Sequence, residues 1–325
     1  MHIAVIGINH KQADLTLREL IAVVFHTHFS CEQPSSIDAD CVVLSTCNRV
    51  ELYFSAHNLA EVHQKILALL KKEIPFDFEQ KLYTFFGIDC FRHLAKVTSG
   101  LDSAIIGETE IKGQVSTAYS AFHAAHRVNK ELHYLFQKSL RISKKVRSEI
   151  VSHTHMSGLE ELIFAQSCNF FHKTPQVLFV GASAINCKIA HYFAHKMDAR
   201  LITFCTRTNS KAKSISRKMG TSWVLWEKLT CAAKDHELVI TATKSPSYLL
   251  SQEIATENKK LLIDLAFPRN IDPEVTRLPQ VSLLNIDCLH TKQEEAVPLF
   301  EAEERIENEA TRFFEQYVSR RLVSA

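Results

Sequence analysis

No apolar run in the chain approaches the length of a membrane helix, and the N-terminus enters the alternating segment Ile3-Ala4-Val5-Ile6 without a signal-peptide pattern. No dominant charge is present either. A formal net charge of +2 gives no global pull toward nucleic acid, so any RNA contact must rest on a local patch. There is no Cys-x-x-Cys pair, and none of the 17 histidines joins a zinc-type cluster, which leaves no metal site to expect. The nine cysteines are odd in number and scattered singly, the usage of a reducing, cytosolic compartment. Most of them are expected to be small core residues, with one available as a nucleophile. Internal repeats and low-complexity tracts are missing too. What remains is an ordinary globular composition, 46% apolar and 23% charged, in 325 residues, enough for two domains with full cores.

The first half mixes short strands and helices. Residues 2–8, Cys41–Ser45 and Val50–Ser55 read as strands, and Leu15–Phe29 and Ala60–Lys72 as helices. From Cys90 the pattern turns helical, broken at Ser99-Gly100 and near Gly107, and a long helical periodicity is predicted from Glu110 to Glu149. Strand-like runs then recur at Val177–Val180, Leu201–Phe204, Leu238–Thr241 and Leu261–Leu265, with helical stretches between them. That is βαβ spacing and predicts a doubly wound parallel sheet. A Glu-rich helical segment, Thr291–Arg321, follows.

Two places carry chemistry. The first strand of the second region runs into Gly181-Ala182-Ser183-Ala184-Ile185-Asn186 and a helix, where small residues let a pyrophosphate approach a helix N-terminus. Ser183 stands where a second glycine would be, and the same pattern also serves as a tight packing turn. The next strand ends in Thr206-Arg207-Thr208, with Lys211 and Lys213 behind it, instead of the acid that an NAD ribose would need. A guanidinium beside hydroxyls suits a 2′-phosphate, favouring NADP; the alternative is a solvated basic loop. The other place is Leu44-Ser45-Thr46-Cys47-Asn48-Arg49-Val50-Glu51, a loop between two predicted strands. Arg49 could lower the pKa of the Cys47 thiol, or could grip a substrate carboxylate. A thiol and a nicotinamide cofactor together suggest reduction of an acyl thioester to an aldehyde. A run of cations, Lys138, Arg141, Lys144, Lys145 and Arg147, could meet phosphates or be a solvated face.

These residues resemble the glutamyl-tRNA reductase family in five blocks, in family order and across nearly the whole chain. The blocks are Gly7-Ile8-Asn9-His10 with Leu17-Arg18-Glu19; Ser45–Glu51; Ser99-Gly100-Leu101-Asp102-Ser103 with Gly107-Glu108 and Gly113-Gln114-Val115; Gly181-Ala182-Ser183; and Asp264–Pro273. The resemblance implies an α/β architecture: an N-terminal α+β catalytic domain for glutamyl-tRNA over residues 1–150 that ends in a long connecting helix. An NADPH-binding Rossmann-type domain over 151–288 and a short helical, dimerisation-type tail over 289–325 complete it. It implies NADPH-dependent, cytoplasmic reduction of the glutamyl group of glutamyl-tRNA to glutamate-1-semialdehyde, the first step of five-carbon tetrapyrrole biosynthesis. Cys47 would be the nucleophile and His93 an assisting imidazole, although His93 on its own reads as a helix-surface or core histidine. Thr46, Asn48, Arg49, Ser103, Glu108 and Gln114 would hold the glutamyl moiety together with their neighbours Thr109 and Glu110. Gly181 to Asn186 and Thr206 to Thr208 would hold the cofactor.

The sequence departs from the family pattern at Asp14 for Pro, Thr109-Glu110 for Pro-Gln, Ser183 for Gly and Thr206 for Asn. It also stops soon after Phe313–Tyr317, which puts the family's homodimer in question; an aminomutase acting on the product is a further implied partner. Two other readings fit parts of the chain. One is an NADP oxidoreductase of the shikimate dehydrogenase kind, which needs no thiol. The other is a catalytically silent relative that binds tRNA or a partner, favoured by the worn nucleotide turn.

Overall fold

The computed structural model describes residues 1–31, 37–103, 110–125, 128–153, 158–289 and 298–323. The chain divides into two compact units, Met1–Met156 with Lys292–Ala325, and Ser157–Thr291.

The first unit is built on strands β1 (Ile3–Asn9), β2 (Asp40–Ser45), β3 (Arg49–Ser55) and β4 (Tyr83–Phe86), with helices α1 (Leu15–Phe29), α2 (Leu59–Glu73), α3 (Gly87–Ser99), α4 (Glu110–Ala124) and α5 (Lys130–His153). The strands form an antiparallel sheet in the order β2-β3-β1-β4. β1 and β3 are buried along their whole length, as two-sided cover requires. Asp14 caps α1 through a bond from the Leu17 amide to its carboxylate (2.9 Å), which gives this departure from the family pattern a local purpose. α3 ends at Gly100, whose φ of 77° lies in the left-handed region; the Leu101 amide bonds back to the Lys96 carbonyl, turning the chain sharply toward Asp102.

The single helix expected over Glu110–Glu149 is two helices. The Asn129 side chain accepts from the Glu131 and Leu132 amides (3.0 Å each) and so starts α5 afresh, a capping signal that apolar periodicity does not register. The C-terminal segment of this unit, α10 (Pro298–Val323), packs on α3 and α5 and buries Ala302, Ile306, Ala310 and Phe313, residues at helical spacing.

In the second unit, α6 (Leu159–Phe171) precedes a six-stranded parallel sheet of β5 (Val177–Val180), β6 (Ile202–Cys205), β7 (Ser222–Val224), β8 (Leu238–Thr241), β9 (Lys260–Asp264) and β10 (Val281–Asn285). Helices α7 (Ala184–Lys196), α8 (Asn209–Met219) and α9 (Leu229–Asp235) lie between the first four strands. The order β10-β9-β8-β5-β6-β7 is that of a doubly wound fold, with its switch point between β5 and β8. β5, β6, β8 and β9 are buried throughout.

The cysteines depart from expectation: Cys41, Cys90 and Cys205 are buried, Cys31, Cys47 and Cys187 are half-buried, and Cys168, Cys231 and Cys288 are exposed. Cys168 follows Ser167, on the buried stripe of α6 with Leu159 and Ile163, so its own position turns outward. Among the described residues no helix is long and apolar enough to cross a membrane.

Candidate functional site

The three residues Thr46-Cys47-Asn48 join β2 to β3. The Thr46 amide donates to the Arg49 carbonyl (2.9 Å), and Thr46 Oγ1 accepts from the amides of Asn48 (3.2 Å) and Arg49 (3.1 Å). This hydroxyl-centred turn closes the loop and leaves Cys47 at its tip, half-buried between buried neighbours. Two further contacts fix the loop from outside. The His10 amide donates to the Asn48 carbonyl (2.8 Å), and the fully buried Arg18 guanidinium donates to the Cys47 carbonyl. Arg18 escapes notice in the sequence as a site residue, yet an arginine among the apolar positions Leu17, Ile21 and Phe25 of α1 was a visible signal.

Beneath the loop lies a charged cluster whose centre, Arg49 and Glu51, is sealed from solvent. Arg49 is fully buried; its Nη1 donates to Glu51 (3.0 Å) and to Asp102 Oδ2 (3.0 Å), and its Nη2 to the Asp102 carbonyl. Lys11 meets the other Asp102 oxygen at 2.7 Å. The sequence left Arg49 with two roles, lowering the thiol pKa or gripping a carboxylate. In the structure both of its terminal nitrogens hold Glu51 and Asp102, so the guanidinium ties the thiol loop to the end of α3.

Glu51, 0% exposed, is the hub of the cluster. One oxygen accepts from Arg49, from Tyr83 OH (2.5 Å) and from His93 Nε2 (2.7 Å), and the other from Tyr53 OH (2.6 Å). Burial pushes its carboxyl up, but the His93 and Arg49 charges outweigh that and hold it well below the ordinary carboxylate range. The Arg49 guanidinium, opposed by burial and favoured by Glu51, Tyr83 and Asp102, is shifted up in turn. The bond through Nε2 fixes the His93 ring, which also packs against Tyr83 and Phe85 with centroids 5.2 and 4.9 Å away. Room for the hub comes from Gly7, which pairs with Glu51 on one side and Tyr83 on the other. A Cβ there would lie 2.7 Å from Glu51 Cγ and 3.2 Å from the Tyr83 ring.

The predicted substrate residues therefore fall into three groups. Thr46, Asn48, Arg49 and His93 converge on the thiol loop and its buried base, and Ser103 follows Asp102 at its edge. Asn48 Oδ1 and Ser103 Oγ are buried without a hydrogen-bond partner among the described residues, as acceptor and hydroxyl groups left for a ligand would be. Glu110 and Gln114 lie in the first turns of α4, Gln114 exposed. Glu108 and Thr109 are outside the described residues.

The nucleotide turn is formed at the carboxyl ends of the parallel strands. A cleft of about 480 Å³ is lined by Gly181, Ala182, Ser183 and Ile185, by Thr206, Arg207, Thr208 and Lys211, and by residues of the loops after β8 and β9. Gly181 has φ 92°, and a Cβ there would meet Thr243 and the Ala242 carbonyl at 2.6 and 2.7 Å, so only glycine keeps this cradle open. Ser183, the residue in place of the second glycine, caps α7 by accepting from the Asn186 amide (3.2 Å). Asn186 is fully buried and donates to the Val180 and Gly181 carbonyls (2.8 and 3.0 Å), bracing the turn; Ala184 opens the helix. Thr206 is buried and donates to the Thr208 carbonyl (2.8 Å), while Arg207 and Thr208 are exposed, with Arg207 5.9 Å from the Trp226 ring centroid. A turn opened by Gly181, a helix N-terminus and exposed cations at a switch point fit a dinucleotide phosphate.

Fold and site together define a two-unit oxidoreductase, one unit carrying a thiol and the other a nucleotide cleft. Residues 6–150 match the family model for the glutamyl-tRNA(Glu) reductase N-terminal domain, and residues 164–291 that for shikimate / quinate 5-dehydrogenase. The glutamyl-tRNA reductase of Carboxydothermus hydrogenoformans is 32% identical over 97% of this chain and 74% of its own. Among solved structures, the glutamyl-tRNA reductase of Methanopyrus kandleri matches 99% of this chain and 83% of its own at 23% identity, with a TM-score of 0.50, a likeness of fold. The chain belongs to the glutamyl-tRNA reductase family. The shikimate dehydrogenase likeness is confined to the nucleotide unit.

Proposed function

We propose that this protein reduces the glutamyl group of glutamyl-tRNA to glutamate-1-semialdehyde through a thioester on Cys47, with NADPH as reductant, as the first step of five-carbon tetrapyrrole synthesis. The observation that carries this reading is the half-exposed thiol at the tip of a loop clamped by Thr46, Arg18 and Arg49 over a sealed ionic base. Such a base fixes the nucleophile in place before substrate arrives. The Cys47 thiolate attacks the ester carbonyl carbon; a C–S bond forms, the bond to the tRNA ribose oxygen breaks, and that oxygen takes a proton. His93, held in one orientation by Glu51, is the group suited to move that proton. Asn48 and Ser103 offer the glutamyl group polar atoms that the fold leaves unpaired. Gly181–Asn186 and Thr206–Thr208 would hold NADPH, which would supply the hydride that turns the thioester into aldehyde and frees Cys47 as thiolate. The exposed cations Arg207 and Lys211 on the same cleft support a 2′-phosphate on the cofactor.

Incubation with radiolabelled glutamyl-tRNA and no NADPH should leave label covalently on the protein, released by hydroxylamine and absent from Cys47→Ala. Adding NADPH should discharge it as semialdehyde, with turnover in the variant down by about a thousandfold or more. Undiminished aldehyde formation by Cys47→Ala would overturn the proposal.

A further inference from the structure

The five cations singled out in the sequence of α5 do not form one stripe. Lys138 lies over the rings of Tyr134 and Phe313 (5.2 and 5.0 Å), and Lys145 pairs with Glu309 of α10 (3.1 Å). The side chain of Arg147 is outside the described set. Arg141, whose guanidinium also reaches the Phe313 ring (5.9 Å), and Lys144 join Lys112 of α4 along an open groove of about 580 Å³, whose remaining walls are Gly113, Ser116, Gln137 and Leu140.

Three features set this groove apart from an ordinary solvated face. Lys112, Arg141 and Lys144 have no carboxylate partner among the described residues, whereas Lys65, Lys71 and Lys145, all on helices of the same unit, each have one. Positive charge is also crowded beside it: burial, then Arg141 and Arg320, lower the Lys138 ammonium pKa. Finally, Gly113 sits within a helix where a Cβ would meet nothing within 4 Å, so internal packing does not call for glycine. Glycine there is a poorer helix former than alanine and leaves the backbone bare on the groove wall.

A groove edged by three cations without carboxylate partners, with hydroxyl, amide and bare backbone between them, is matched by a ribose-phosphate strand. We infer that the α4–α5 groove is a docking surface for the phosphate backbone of the substrate tRNA, held by Lys112, Arg141 and Lys144. The inference rests on the reading that glutamyl-tRNA is the substrate, and it adds where on the thiol-bearing unit the RNA is gripped. Contacts of this kind position the RNA without reading its bases, and they show themselves through salt.

The test is binding of deacylated tRNA(Glu) to the full chain over a salt series, for wild type, for the double variant Lys112→Glu/Lys144→Glu, and for Lys218→Glu on α8 as a control of equal sign. The double variant should bind at least tenfold more weakly at low salt. Its plot of log affinity against log salt should flatten by about 1.5 to 2, the contribution of two phosphate contacts. With saturating glutamyl-tRNA its single-turnover rate should match wild type, placing the defect in binding and not in the thiol chemistry. Thermal unfolding of the double variant should change little, since neither lysine holds a hydrogen bond or ion pair among the described residues. Equal affinity and equal salt slope in wild type and double variant overturn the groove while leaving the functional reading standing. A wild type that binds no tRNA overturns both.

Discussion

Each unit buries one carboxylate among several hydrogen-bond donors, and the two behave in opposite ways. Glu51 in the first unit receives four side-chain bonds, two of them from the Arg49 guanidinium and the His93 imidazole, and its pKa is driven down. Asp264 in the second unit also receives four, from Thr241 Oγ1 (2.7 Å) and the amides of Ala266, Asn270 and Ile271 (3.0, 2.7 and 2.9 Å). Burial nevertheless wins there and its pKa is raised. At Asp264 the four neutral donors do not offset the loss of water, whereas at Glu51 the cationic partners do. The thiol region is accordingly organised by buried charge, whereas the nucleotide cleft is organised by backbone shape and neutral bonds, with its cations Arg207 and Lys211 exposed.

The largest effect expected from this contrast is that of Glu51→Ala. It leaves Arg49 buried against Asp102 alone, at a cost of about 3–5 kcal/mol, read by denaturant unfolding. A loss below 1 kcal/mol would mean that the cluster does not stabilise the first unit. The comparison also sets the sign of the pH response. The Glu51 contribution is fully present above its ordinary pKa of 4.5 and is lost as pH falls through and below that value. The Asp264 contribution runs the other way, with stability declining as pH rises from its ordinary 3.8 through the raised value. Titration followed by carboxyl-selective NMR should show the two carbons moving at opposite ends of the acid range; coincident midpoints would remove the distinction.

Next in size, Gly7→Ala should cost about 1–3 kcal/mol by overpacking the hub and should weaken aldehyde formation by disturbing the Glu51–His93 bond. Asp264→Asn should cost about as much by a different route, since an amide placed among donors leaves one of them unpaired. Because Asp264 carries no cationic partner, a double change of Asp264→Asn with any basic residue should show only additive losses. The smallest effects are at Ser183: Ser183→Ala should lose the cap, about 1 kcal/mol, and Ser183→Gly only a few tenths. Binding of NADPH by Ser183→Gly equal to wild type would show that the hydroxyl serves the helix and not the cofactor.

Much of this organisation was legible in the sequence, and the failures have a common physical cause. The strands read correctly, β1, β2, β3, β5, β6, β8 and β9, are buried over all or nearly all of their length and, apart from Arg49 and Glu51 in β3, spell mainly apolar runs. The three that escaped, β4, β7 and β10, are all sheet edges with mixed burial, and β7 is three residues long. Their pairing is decided by a neighbour far away in sequence. The thiol loop and the nucleotide turn could be read because each is local, a few residues between two elements. The Glu51 hub could not, because its donors Tyr83 and His93 lie on β4 and α3 and are assembled only across Gly7. Asp14 and Ser183 looked like erosion of a family pattern, yet both are helix caps.

The return of α10 to the first unit has a consequence for how the chain is made. Synthesis delivers the whole nucleotide unit before the helix that completes the thiol unit leaves the ribosome. The inner unit can close while α3 and α5 still present the uncovered surface meant for Ile306 and Phe313. The order of maturation is thus inside-out, and the half that holds Cys47 is the last to be sealed.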